Sequence, residues 1–187
     1  FMNTQYDYNS DNFAVYDHMT GEFCVVYRHV IKQNDVDRAF LKVRKTVDFT
    51  NWTEFEIFKD ELGNDLVCGL SPSIVYNPTL GKWMMHSIAY FEGEMNLVYQ
   101  TSDDLINGWS SPVGATKSNN FKFWHQETRY CGGHFITIIH DLDSDTAATD
   151  GKGGLHLGIS LDGINFEYSE QILGTPYHNP YKASISQ

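Results

Sequence analysis

The chain has 187 residues, 41% of them hydrophobic, and carries 24 Asp and Glu against 13 Lys and Arg, for a formal net charge of −11. That balance argues against a nucleic-acid partner, since phosphate contacts need clustered Lys and Arg. The apolar runs fall far short of a membrane span and no charged-then-apolar signal peptide opens the chain, so no membrane insertion is expected.

In chain order, the first module runs from Tyr16 through a turn to Gly21-Glu22-Phe23 and an apolar run, then from Leu41 through Asp48 to Trp52. The second repeats this as Tyr76, Gly81-Lys82-Trp83, and Leu97 through Asp104 to Trp109. The third reads Tyr130, Gly133-His134-Phe135, and Leu155 through Asp162 to Phe166. The runs on either side of each Gly are rich in β-branched and aromatic residues and are of strand length, so each pair predicts a hairpin. A later strand and the segment after each Asp turn bring the expected count to about four antiparallel strands per module, with no amphipathic helix.

The closing aromatics Trp52, Trp109 and Phe166 stand at equal intervals of 57 residues. A fixed period of this size marks a modular array whose units bury their faces against one another. Four-stranded units repeated radially make a β-propeller, so the sequence predicts an all-β fold of that kind, with a β-sandwich as the alternative. The blades are expected at about 11–68, 69–123 and 124–175, with a further blade starting at 176–187, so that residues 1–187 form part of one propeller domain. The remaining blades are expected from additional chain, and a homo-oligomer stays open. Each Asp is expected to bond its own following backbone amides, a structural task that explains its recurrence in every module.

Cys24, Cys68 and Cys131 are odd in number and contain no Cys-x-x-Cys pair, which excludes a zinc site of common spacing and argues against a disulfide framework. No cofactor is expected. A structural calcium ion is the one metal left open, although the acidic loop 141–145 lacks the Gly and Glu that an EF-hand requires. Asn51-Trp52-Thr53 matches a glycosylation sequon inside the tight turn and is discounted.

Aligning the modules on Tyr16, Tyr76 and Tyr130 makes Asp11, Ser71 and His125 equivalent, and likewise Phe13, Ser73 and Glu127. The most polar of these stretches is Trp124-His125-Gln126-Glu127-Thr128-Arg129. By the period of two, His125, Glu127 and Arg129 share one strand face, and with Trp124 they form a candidate sugar-binding cluster, assisted by Asp11 and Ser73. The alternative is a salt bridge between Glu127 and Arg129 on a solvated face. His86, His140 and His178 follow as second-tier ligand contacts.

The openings Ser71-Pro72-Ser73-Ile74-Val75-Tyr76 and Gly81-Lys82-Trp83, with the closings Thr101-Ser102-Asp103-Asp104 to Trp109 and Ser160-Leu161-Asp162-Gly163-Ile164-Asn165-Phe166, resemble the five-bladed propellers of the glycoside hydrolase family 43 and 32 superfamily. They also resemble related propellers of phage tail receptor-binding proteins. The resemblance implies Glu127 as a general acid and Asp11 as a general base, while Ser73 stands where the enzymes often carry Asp. It therefore implies a carbohydrate-recognising module that binds a cell-surface glycan, with a glycoside hydrolase as the alternative. The expected partner is a glycan or polysaccharide. The expected location is extracellular or virion-associated, with a cytoplasmic one still open.

Overall fold

A computed structural model describes residues 7–33, 36–118, 121–142, 154–170 and 185. The described residues form twelve strands in three four-stranded antiparallel sheets, each built from consecutive strands. The first holds β1 (Asp7–Asp17), β2 (Glu22–Gln33), β3 (Val36–Thr46) and β4 (Glu56–Ile57). The second holds β5 (Leu70–Asn77), β6 (Lys82–Phe91), β7 (Glu94–Ser102) and β8 (Val113–Gly114). The third holds β9 (Lys122–Cys131), β10 (His134–Leu142), β11 (Leu155–Ser160) and β12 (Glu167–Tyr168). The fold is the all-β one of propeller blades, each a four-stranded meander.

Turn chemistry explains the hairpins. In the first two sheets an Asp or Asn ends the inner strand and bonds the turn that follows it. Asp17 Oδ1 accepts from Met19 N at 2.9 Å, and Asn77 Oδ1 accepts from Thr79 N at 3.0 Å. Gly21 and Gly81 then close the turns at φ 75° and 66°, a region that costs glycine nothing. The third sheet uses the two-residue turn Gly132-Gly133 instead.

The chain divides into two compact units, residues 1–68 with 102–111, and residues 69–101 with 112–187. The first unit packs the first sheet around Cys24, Val26, Leu41, Val43, Phe58 and the wholly buried Trp109. In the second unit the second and third sheets face each other. Val75, Met84, Ile88 and Leu97 meet Phe123, Phe135, Ile139 and Phe166 in one apolar core.

The Asp turns are built alike and do more than reverse the chain. Asp48 Oδ1 accepts from Thr50 N and Asn51 N, and Asp162 Oδ1 from Ile164 N and Asn165 N; Asp104 Oδ1 does the same with Ile106 N and Asn107 N. In each case the hydroxyl two residues upstream, Thr46, Ser102 or Ser160, accepts from the Asp backbone N–H. Burial raises the Asp162 carboxyl, but the bonds from Asn165 and Ile164 outweigh it and hold the group down at about 2.

Two of these turns latch onto the sheet that precedes them in sequence. Within the first unit, Lys59 N donates to Ile106 O at 2.8 Å, and within the second, Thr116 N donates to Ile164 O at 3.0 Å. Trp109 and Phe166 are accordingly buried, at 0% and 4% exposure. Trp52, the closing aromatic of the first module, differs from its two counterparts. It is half-buried, because its turn has no such seat among the described residues.

Gly163 is the tightest point of the third turn. Its φ is 76°, and an added Cβ would lie 3.1 Å from the Phe135 ring and 3.2 Å from Met84 Cε. Gly163→Ala is expected to cost about 1–3 kcal/mol through backbone strain and overpacking, lowering the thermal midpoint by several degrees in a calorimetric scan. An unchanged midpoint would show that the turn yields freely.

Candidate functional site

Every inner strand carries one extra residue near its start. The register against the second strand breaks between Ser10 and Phe13 in β1, between Leu70 and Ser73 in β5, and opposite His140 and Asp141 in β9. A bulge re-aims the side chains around it. Asp11 and Ser71 sit in these bulges at φ 49° and 47°, left-handed backbone that non-glycine residues seldom adopt. His125 borders the third. Two of the three positions equated by sequence thus lie in a bulge and the third lies beside one, next to the unpaired Trp124.

In the first unit, Asp11 Oδ2 accepts from the Ser10 hydroxyl at 3.1 Å and lies 3.8 Å from Arg28 Nη1. Arg28 Nη1 in turn donates to Ser10 Oγ at 3.3 Å. Both charged side chains are nearly buried, at 11% and 12% exposure. Arg28 Nε has no hydrogen-bond partner among the described residues, so the guanidinium keeps an unspent donor beside the carboxylate. Cys68 shares this environment, where burial pushes its thiol up to about 12, and so it is no nucleophile.

In the second unit, Ser71 Oγ lies 2.6 Å from His125 Nδ1. The Trp124 ring meets His125 edge-on at 5.4 Å, and His140 lies parallel to it at 6.2 Å. Both His140 ring nitrogens are buried with no hydrogen-bond partner among the described residues, and burial lowers its pKa against the opposing charge of Asp141. His125, Trp124 and Ser71 are therefore brought together, along with His140 of the second-tier candidates.

Gln126, which drew no functional reading from sequence, ties this corner shut. Its Nε2 lies 2.5 Å from Ser71 O, 2.8 Å from His86 O and 3.0 Å from Ser73 Oγ. Two of those acceptors are carbonyls, which fixes the amide orientation, and Oε1 then accepts from the Thr128 hydroxyl at 2.8 Å. Ser73 Oγ also accepts from Thr128 N at 3.1 Å.

Ser73 and His86, expected as ligand contacts, are correspondingly placed inside the contact between the second and third sheets. Ser73 is 5% exposed and His86 wholly buried. His86 Nε2 donates to Gly163 O at 2.7 Å, and desolvation drives its pKa down to about 4 against that bond, so the ring is neutral. Ser73 Oγ and His86 Nε2 are spent on the protein, while His86 Nδ1 is buried with no hydrogen-bond partner among the described residues. Glu127 and Arg129 meet each other, with Arg129 Nε and Nη2 both 2.8 Å from Glu127 Oε1. His178 lies outside the described residues, as do residues 143–145 of the acidic loop. Among the described residues no three His, Cys, Asp or Glu side chains converge as a metal site.

The four-stranded blades define the class of protein, a β-propeller. No protein-family model and no curated protein matches the sequence. Among solved structures the chain is similar to an N-acetylgalactosamine deacetylase from F. plautii in complex with blood group B trisaccharide. The TM-score is 0.71 at 19% identity, covering 88% of this chain and 52% of that one. It is also similar to the catalytic domain of the GH62 α-L-arabinofuranosidase of Coprinopsis cinerea, with TM-score 0.60, 13% identity and coverage of 92% and 53%. A third is Zg3597, a family 117 glycoside hydrolase of Zobellia galactanivorans, with TM-score 0.59, 12% identity and coverage of 90% and 48%. At such identities the likeness shows a shared fold. The chain spans about half the length of these structures.

Proposed function

We propose that the chain is part of a carbohydrate-active propeller of the glycoside hydrolase type, acting on an oligosaccharide or polysaccharide. The observation that carries this reading is Asp11, a carboxylate on left-handed backbone in the first inner-strand bulge, held between Ser10 and Arg28. Strained positions of this kind persist where the surroundings over-determine them, and they cluster at functional sites. In this reading Asp11 takes a proton from the water that attacks the sugar. Within the second unit, taken by itself, Trp124 and His125 pair an aromatic face with a polar edge, a combination that suits a sugar's C–H surface and hydroxyls. The sugar-acting proteins that share the fold support the same substrate class. Closure as five blades, with the rest from additional chain, and an extracellular or virion-associated setting belong to this proposal.

A second reading, recognition of a cell-surface glycan without turnover as in a phage tail receptor-binding protein, draws support from one observation. The second sheet carries Ser71, not a carboxylate, at the place of Asp11. Both readings are tested by incubating the protein with arabinofuranosylated xylan and with N-acetylgalactosamine-bearing oligosaccharides, measuring released products and binding side by side. Turnover that falls about 100- to 10,000-fold in Asp11→Asn with binding kept is the expected result. Binding with no turnover in the parent protein would select the recognition module. Turnover indifferent to Asp11→Asn would remove Asp11 from the chemistry.

A further inference from the structure

The hairpin between β6 and β7 stands beyond the packed part of its sheet. Ile88 pairs with Leu70 at the start of the inner strand, and β6 then continues to Phe91. Alternate side chains of a strand point to opposite faces. Met84, His86 and Ile88 are wholly buried on the face turned to the third sheet, whereas Tyr90, the next residue on that face, is 75% exposed. The support beneath the ring is fixed. Phe91 packs on Gly114, where an added Cβ would lie 3.0 Å from the Phe91 ring, and Phe91 O accepts from the buried Asn96 Nδ2 at 2.8 Å. Glu92 and Gly93 close the turn at φ 52° and 94°, left-handed at both positions as a two-residue hairpin turn requires. A ring presented in this way costs a ligand little to order.

The same strand leads back to the Trp124–His125 corner. Gln126, beside His125, reaches His86 O at 2.8 Å, and Ser71, which meets His125, follows Leu70 opposite Ile88. At about 3.3 Å per residue, Tyr90 lies roughly 13 Å further along β6 than His86. One sugar ring does not span that interval, but a short chain of them does. The charge at the tip narrows the class further. Glu92 and Glu94 are 63% and 56% exposed, and Lys117 Nζ meets both carboxylates, at 3.1 and 3.2 Å. One cation between two carboxylates leaves the tip net negative, on a chain whose net charge is −11.

We infer that Tyr90 is a stacking platform for an outlying sugar residue, and that the ligand is a neutral polysaccharide running from the Trp124–His125 corner along the β6–β7 hairpin. The inference rests on the carbohydrate reading of that corner and adds the length and charge of what binds there. A tyrosine suits the task, because its ring covers the C–H face of a sugar while its hydroxyl stays in water. A uronate or sulfate group approaching Glu92 and Glu94 meets like charge, which disfavours acidic polymers. A platform outside the corner adds affinity only for a chain long enough to touch both. Tyr90 therefore discriminates polymer from fragment without taking part in the chemistry proposed for Asp11.

Binding by the intact polypeptide that contains this chain tests this, with arabinofuranosylated xylan as the polymer and an arabinofuranosyl-xylobiose as the fragment. Tyr90→Ala is expected to raise the Kd for the polymer roughly 3- to 10-fold and to leave that for the fragment unchanged. Tyr90→Trp should keep the polymer affinity, and the exposed position should leave the melting midpoint of both variants at the parent value. An equal loss on polymer and fragment, or no loss on either, would overturn the platform while leaving sugar binding in place. A parent protein that binds neither ligand would remove the carbohydrate reading and the platform with it. Glucuronoxylan, which carries acidic branches on the same backbone, is expected to bind more weakly at low salt, with the gap narrowing as salt is added. Replacing both Glu92→Gln and Glu94→Gln should narrow it as well. Equal or tighter binding of glucuronoxylan by the parent protein would overturn the neutral class.

Discussion

Gln126→Leu is expected to destabilise the second unit by about 3–5 kcal/mol, more than most single substitutions at a polar position. The side chain is nearly isosteric, so the loss is electrostatic. Ser71 O and His86 O lose the amide donor, and the Thr128 hydroxyl loses its acceptor, in a place where Gln126 is 3% exposed. Each buried group left unmatched costs on the order of 1–3 kcal/mol. Urea unfolding followed by tryptophan fluorescence measures the change, and a loss below about 1 kcal/mol would mean that water replaces the amide. The same substitution should disturb the Ser71–His125 pair, because the Ser71 carbonyl anchors that bulge.

Acidification from pH 6.5 to 4 is expected to remove up to about 3 kcal/mol of stability through His86 alone. The ring is neutral in the fold with a pKa near 4, whereas an unfolded His takes up a proton near 6.5. Below that higher value the unfolded chain gains protons that the fold excludes, so this contribution is fully present above pH 6.5 and is lost as pH falls toward 4. Melting at pH 7 and at pH 4.5 should show a larger difference for the native protein than for His86→Gln, which lacks a titrating group but can still donate toward Gly163 O. Equal differences would mean that His86 charges in the folded state.

Much of the fold was legible because the module repeats. The Gly-x-aromatic hairpins, the Asp turns and the equal spacing of Trp52, Trp109 and Phe166 are local features that any one module declares and the next confirms. The site was legible only as far as alignment carried it. Setting Asp11, Ser71 and His125 side by side marked equivalent strand positions without showing the bulges there, since an insertion at the same strand position leaves the register on either side intact. Burial was not legible. Ser73 and His86 look like surface polar groups in sequence, and only the sheet stacked against them shows Ser73 Oγ and His86 Nε2 bonded inside the protein. Gln126 was overlooked for the converse reason. A neutral amide between a histidine and a glutamate attracts no chemistry, yet its combination of donor and acceptor is what a dry crossing of two strands needs.

The turns that latch the first and second sheets also give the chain a timetable. Lys59 finds its acceptor on Ile106 and Thr116 finds its own on Ile164, in both cases nearly fifty residues further along. A ribosome adding about 5–20 residues per second leaves each newly made sheet unlatched for roughly 2–10 seconds. During that interval the outer edge of the sheet is bare, and a neighbouring nascent chain competes with the proper successor for it. A slow stretch of message between two modules would lengthen the exposure, whereas one placed just after a turn has been made would give the finished pair time to settle.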